Sequence, residues 1–196
     1  MTRVVVLIKD FDAAKQRLSP ALDARRRREL SGSLALKALT SAGPDAIVVA
    51  GSPEVAVVAR SRGNEVVLEA APAGQREAAR RGIDRAVELG ATSVLILSSD
   101  LPLISHHAIR QMVRTGERLG TPAVLAAPAI GRGGTNALFL SPPDVIGLHF
   151  GDDSLAKFEA DARARSVRFE RFESEAFSLD IDEPSDLELA GYEEVL

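Results

Sequence analysis

Ser93-Val94-Leu95-Ile96-Leu97-Ser98-Ser99-Asp100-Leu101-Pro102-Leu103-Ile104 is the stretch from which the fold can be read. Val94 to Leu97 is a short, continuous apolar run with polar residues on both sides. A strand covered on both faces has this pattern, so it belongs near the middle of an α/β sheet. Asp100 then falls just past the strand's carboxyl end, the edge at which open α/β sheets bind ligands. Pro102 has no N–H for the ladder, so pairing stops and the chain turns where the acid is exposed. A carboxylate placed there is a natural ligand for a hard cation such as Mg²⁺. The competing reading is an Asp that only caps the helix starting near Ser105.

Outward from this strand the same grammar repeats. Val4 to Ile8 is a first buried strand, followed by Lys9 and a loop from Asp10 to Pro20 that carries Lys15 and Arg17. Three cations just past a first parallel strand suit a polyphosphate, with Lys as point charge and Arg as fork. A merely solvated loop is the alternative. Asp23 to Ser41 reads as a helix; its Arg25-Arg26-Arg27-Arg28 run covers a whole turn and is taken as solvated surface. Ala46 to Ala50, Pro53 to Ser61, Glu65 to Leu68 and Gly74 to Leu89 follow as strand, helix, strand and helix, which is the rhythm of a parallel sheet.

Beyond the central strand, Ser105 to Leu119 is a helix and Ala123 to Ala127 a strand. In Ile130-Gly131-Arg132-Gly133-Gly134-Thr135-Asn136-Ala137-Leu138, the glycines allow close backbone approach. Their amides, with the Thr135 hydroxyl, the Asn136 amide and Arg132, make a donor-rich pocket for a phosphate or carboxylate; a Gly-Gly hairpin tip is the alternative. His149-Phe150-Gly151-Asp152-Asp153-Ser154 opens a helix, with Ser154 near its N-terminus as anion contact or plain cap. Val167 to Phe172 alternates like a strand. Phe177 to Leu179 is expected to form a short strand ending in Asp180-Ile181-Asp182, which would put both acids on one face. Pro184 and Asp186 suit a helix start, which makes Asp186 structural. His106, His107 and His149 lack metal-ligand spacing and are assigned to surface or packing.

The bulk numbers agree with a single domain over 1–196. Hydrophobic residues make up 45%, enough for a substantial core, and the net charge of −4 gives no pull toward nucleic acid. There is no Cys, which excludes disulfides and thiolate metal sites. No apolar run reaches the ~20 residues of a membrane span. Met1-Thr2-Arg3-Val4 runs straight into a strand without a signal peptide's cleavage pattern, so a cytoplasmic protein is expected, as monomer or homodimer.

Acids at strand ends, a cationic first loop and a glycine-rich anion pocket point to metal-assisted nucleotidyl transfer onto a small phosphorylated acid. Mg²⁺ on Asp100, Asp180 and Asp182 would offset repulsion between acceptor phosphate and nucleotide. No general base is needed, because a phosphate acceptor is already ionised at pH 7. A related transferase with another base or acceptor is the nearest rival. An Asp-nucleophile phosphatase would carry its Asp-x-Asp after the first strand. A nucleotide-binding regulatory module without turnover is the non-enzyme reading.

Ala14-Lys15-Gln16-Arg17-Leu18, Ser99-Asp100-Leu101-Pro102, Gly133-Gly134-Thr135-Asn136-Ala137-Leu138, Phe150-Gly151 with Ser154, and Asp180-Ile181-Asp182 with Asp186-Leu187 resemble the CofC/FbiD family. Its members are the 2-phospho-L-lactate and phosphoenolpyruvate guanylyltransferases of coenzyme F(420) biosynthesis. The resemblance implies a single-domain nucleotidyltransferase (GT-A-like) fold with a mixed, mostly parallel sheet flanked by helices. It also implies Mg²⁺, GTP as donor and a phosphorylated three-carbon acid as acceptor. By motif, Asp100, Asp180 and Asp182 would be the metal ligands, Lys9, Lys15 and Arg17 would hold the triphosphate, and Thr135, Gly151 and Ser154, with Asn136, the acceptor. The family's Gly-Leu or Gly-Asn that reads base and ribose is replaced here by Ala73-Gly74-Gln75-Arg76, which gives Gly74 and Gln75 to the nucleotide. Ser154-Leu155-Ala156-Lys157-Phe158 likewise departs from the usual Ser-Phe and His pattern.

Overall fold

A computed structural model describes residues 1–131 and 133–192. Seven strands form one sheet in the order β3-β2-β1-β4-β6-β5-β7. They are β1 (Thr2–Ile8), β2 (Ile47–Ala50), β3 (Glu65–Leu68), β4 (Ser93–Ser98), β5 (Ala123–Pro128), β6 (Thr135–Ser141) and β7 (Arg168–Arg171). β1 pairs in parallel with both β2 and β4, and β2 with β3. β6 alone runs against its neighbours β4 and β5, while β5 and β7 pair in parallel. The expected mixed, mostly parallel sheet is therefore present, and the apolar Val94–Leu97 run is its fully buried middle.

Period-two alternation sorts each strand between two layers. Val6, Leu95, Leu97 and Phe139 face one side with α1 (Ala24–Ala42), α2 (Pro53–Ser61) and α4 (His106–Leu119). Val5, Ile96, Val124 and Leu138 face the other, with α3 (Gln75–Glu88) and α5 (Ser154–Ala164). α3 lies close on the sheet because Gly82 has no side chain; a Cβ there would stand 2.3 Å from Val5 Cγ1. Helix starts follow local chemistry. Asp23 accepts from the Arg26 N–H and Ser105 from that of Ala108, each satisfying an otherwise orphaned donor.

The chain departs from expectation at Phe177–Leu179, which is not a strand. Glu175–Ser178 forms a single helical turn, α6, and only Leu179 onward is extended. The reason is tertiary: Phe177 is fully buried, edge-on to the Phe172 ring at 5.8 Å, and a turn delivers it there. The last described helix, α7 (Pro184–Leu189), starts as the sequence suggests. Asp186 Oδ2 accepts from the N–H groups of Asp182 and Glu183, so Asp186 is structural.

A third, small apolar cluster matters most for the site. Leu18 and Leu22 of the first loop pack with Leu30 and Leu34 of α1 and with Ile181 and Leu187 near the C-terminus. Ile181 and Leu187 are fully buried, which is worth roughly 1.5–3 kcal/mol for each side chain. This contact draws the cationic loop against the late acidic stretch, across more than 160 residues of chain. Among the described residues no helix is long and apolar enough to cross a membrane.

Candidate active site

The carboxyl ends of β1, β2, β3 and β4 open into a cleft of about 440 Å³, a size that suits a nucleotide. Lys9, Lys15, Arg17, Gly74, Gln75, Asp100, Thr135, Asn136, Gly151, Ser154, Asp180 and Asp182 all line it. The sequence thus named residues from six separate stretches that share one cavity. Arg132 lies outside the described residues.

Asp100 sits two residues past β4. Its backbone carbonyl accepts from Ile181 N at 3.1 Å, which lays the Asp180–Asp182 segment alongside. That segment is extended, so Ile181 enters the apolar cluster while Asp180 and Asp182 turn to the cleft. Asn136 fixes the arrangement from β6. Its amide donates to the Phe177 carbonyl at 2.8 Å and to Asp180 Oδ1 at 3.3 Å. Those bonds make Asn136 a support for Asp180 as much as a lining residue.

The cations stand against the acids. Lys15 is 7% exposed; its Nζ lies 2.9 Å from Asp100 Oδ2 and also donates to the Ile181 carbonyl. Lys15 adopts a left-handed backbone, φ 58°, which few non-glycine residues do and which costs of order 1 kcal/mol. Arg17 is 64% exposed and reaches Asp182 Oδ2 at 3.1 Å and Glu183 at 3.7 Å. Lys9 lies at the exposed end of β1. Burial pushes the Asp100 carboxyl up, but the Lys15 charge and hydrogen bond, with a smaller effect of Lys9, outweigh it and hold the group below its ordinary value.

Asp100 Oδ1 is buried and has no hydrogen-bond partner among the described residues. A buried carboxylate oxygen without a donor is costly, and a cation relieves it. The donors are all hard oxygens, which fits Mg²⁺ or Mn²⁺. As the chain stands, no group of three or more Asp, Glu or His among the described residues is drawn together tightly enough to hold an ion. Two of the three acids carry a cation as the chain stands, Asp100 that of Lys15 and Asp182 that of Arg17.

The residues that the sequence reads as an anion pocket line the same cleft. β5 and β6 pair antiparallel, so their connection is a hairpin, as one of the two sequence readings has it. It brings Gly134 and Thr135 to the cleft, and the Gly133 carbonyl accepts from Leu155 N, tying the loop to α5. Ser154 is buried and its hydroxyl donates to Thr135 Oγ1 at 3.1 Å. His149 is a packing residue, edge-on to Phe158 and bonded to Asp161 at 2.8 Å.

Among the lining residues that escaped the sequence reading are Gly51, Glu69 and Ser98. Gly51 follows β2, where a Cβ would stand 2.7 Å from Asp10 N, so only glycine lets the first loop cross there. Glu69 and Ser98 each sit at a strand's carboxyl end, the signal that had found Asp100 and Lys9.

A family model described as guanylyl transferase, CofC like, matches residues 2–190. The chain belongs to this family. As a CofC-like guanylyl transferase it is an enzyme of nucleotidyl transfer. It is 37% identical to a phosphoenolpyruvate guanylyltransferase of Sphaerobacter thermophilus, over 97% of this chain and 93% of that protein. It is 27% identical to a 2-phospho-L-lactate guanylyltransferase of Methanocaldococcus vulcanius, over 94% of this chain and 81% of that protein. Its fold matches that of a solved nucleotidyl transferase from Methanothermobacter, with a TM-score of 0.67, 21% identity, and 98% and 97% of the two chains covered.

Proposed function

We propose that the protein transfers GMP from GTP to phosphoenolpyruvate, or to 2-phospho-L-lactate, and releases pyrophosphate, in coenzyme F(420) biosynthesis. An oxygen of the acceptor phosphate attacks the α-phosphorus; the new P–O–P bond forms as the α–β bridge breaks. The observation that carries the reading is the buried Asp100 Oδ1, without a hydrogen-bond partner among the described residues, in one cleft with Asp180, Asp182 and the Thr135–Ser154 hydroxyl pair.

Asp100, Asp180 and Asp182 would hold Mg²⁺. When bound, it neutralises charge on the two phosphates and on the departing pyrophosphate. The remaining work falls to the chain itself. Lys9, Lys15 and Arg17 take the triphosphate, and Lys15 and Arg17 exchange their carboxylate partners for phosphate oxygens. Gly74 and Gln75 lie against the nucleoside. Thr135, Gly151 and Ser154 hold the acceptor's phosphate and carboxylate, so that its oxygen faces the α-phosphorus; such positioning is the larger part of this chemistry.

Incubation with Mg²⁺, each nucleoside triphosphate in turn, and phosphoenolpyruvate, 2-phospho-L-lactate or 3-phospho-D-glycerate tests the reading. Pyrophosphate release with GTP and one of the first two acids is expected. Release with CTP alone, or with none of these acids, would overturn it.

A further inference from the structure

Glu69 lines the cleft from β3, across the sheet from Asp100. It follows β3, and its N–H donates to the Ala50 carbonyl at 2.9 Å, so the backbone is held by the sheet. Its side chain enters the cleft in the company of Gly51, Pro72 and Gly74. Oε1 is buried without a partner among the described residues. Burial raises this carboxyl, an effect that Arg81 opposes and Glu77 reinforces. The protein therefore keeps a desolvated acceptor at this end of the cleft, and the described residues supply no donor for it. A carboxylate offers only acceptors, so the group that satisfies it must bring N–H or O–H donors.

The sheet places that acceptor at a telling distance. β3 is three strand spacings from β4, roughly 14 Å, so Glu69 lies at the opposite end of the cleft from Asp100. If the phosphates lie at Asp100, the base lies at Glu69. Guanine presents two adjacent donors on one edge, N1–H and the 2-amino group, which match the two oxygens of a carboxylate. Adenine offers an acceptor and a C–H there. Uracil offers one N–H between two carbonyls, and cytosine one amino group beside an acceptor. Gln75 donates its amide to Ser98 Oγ at 3.4 Å, toward β4, and leaves this edge to Glu69.

We propose that Glu69 selects guanine, its carboxylate accepting from N1–H and the 2-amino group of the bound nucleotide. This rests on the guanylyl-transfer reading and adds the residue that sets donor specificity. The test compares wild type, Glu69→Ala and Glu69→Gln with GTP, ITP and ATP as donors, reading kcat/KM and the melting temperature of each protein. ITP keeps N1–H and lacks only the 2-amino group. Wild type is expected to prefer GTP over ITP by about 10-fold or more, and over ATP by about 1,000-fold or more. Glu69→Ala brings the GTP/ITP ratio close to 1 through a loss of about 100-fold on GTP and about 10-fold on ITP, which shares the N1–H contact, and Glu69→Gln raises use of ATP relative to GTP. Neither variant melts below wild type, since each removes a buried carboxylate oxygen that has no hydrogen-bond partner among the described residues. An unchanged GTP/ITP ratio in folded Glu69→Ala would overturn the proposal while leaving guanylyl transfer intact. A wild type that uses CTP or ATP best would instead overturn the parent reading, and this one with it.

Discussion

Replacing Lys15 with Met separates what this residue does in the free enzyme from what it does in turnover. Lys15 Nζ stands 2.9 Å from Asp100 Oδ2, donates also to the Ile181 carbonyl, and is almost buried. A hydrogen bond of this kind to a charged partner is worth about 1.5–3 kcal/mol. A divalent ion using Asp100 in the free chain must displace that ammonium, so its affinity is lowered by a similar amount. At 1.4 kcal/mol per decade this is about 10- to 100-fold. Met preserves the length and apolar stem of the side chain, and at φ 58° it is no more strained than Lys. Lys15→Met is therefore expected to bind Mn²⁺ about 10- to 100-fold more tightly than wild type in the absence of nucleotide. Its pyrophosphate release should fall by about 100-fold or more, because the triphosphate loses a preorganised cation. Mn²⁺ titration followed by electron paramagnetic resonance, beside a steady-state assay, reads both. Unchanged or weaker Mn²⁺ binding by the variant would refute the reasoning, since the ammonium would then not stand in an ion's way.

Thr135→Val removes a hydroxyl from the anion pocket while keeping shape. KM for the acceptor acid should rise about 5- to 10-fold with KM for the nucleotide unmoved, the loss of one good hydrogen bond. Gly116→Ala puts a Cβ 2.5 Å from the buried Phe139 ring and should cost about 1–3 kcal/mol in chemical denaturation; Phe139→Leu in the same chain should recover part of it. Asp161 carries the acid sensitivity. Hydrogen bonds from His149 and Arg165, with the Gly147 N–H and against a smaller effect of burial, hold its carboxyl at about 2, below the ordinary 3.8. Because the folded value is depressed, the stabilisation is present above about pH 4 and is lost as pH falls through 2. It amounts to about 1–2 kcal/mol once solvent on its open side is allowed for. Asp161→Asn should be less stable at pH 7 and show a flatter denaturation profile between pH 4 and 2.

Much of this was legible because strand ends are legible. Apolar runs bounded by polar residues located β1, β2, β4 and β5, and the first charged residue past such a run lies where a parallel sheet places its chemistry. Lys9 and Asp100 follow directly. The pairing of Lys15 with Asp100 was not legible, since nothing local joins residues 85 apart; the Leu18–Ile181–Leu187 cluster makes it, and each of these reads singly as an ordinary core position. Phe177–Leu179 misled because a short apolar segment fits either period, and the pocket beside Phe172 decided for a turn. Glu69 was hidden by its surroundings: it follows the strand read at Glu65 to Leu68, which is no continuous apolar run, and the burial of one carboxylate oxygen is a property of the folded cleft alone.

The central claim is that acids distant in sequence close on one divalent ion beside an acceptor pocket. A crystal of the protein grown with Mn²⁺ and a non-hydrolysable GTP analogue, with anomalous scattering recorded at the manganese edge, tests it most directly. The account expects one strong peak held by Asp100, Asp180 and Asp182, with Lys15 turned to the triphosphate. A peak elsewhere in the cleft, with Lys15 still on Asp100, would contradict it.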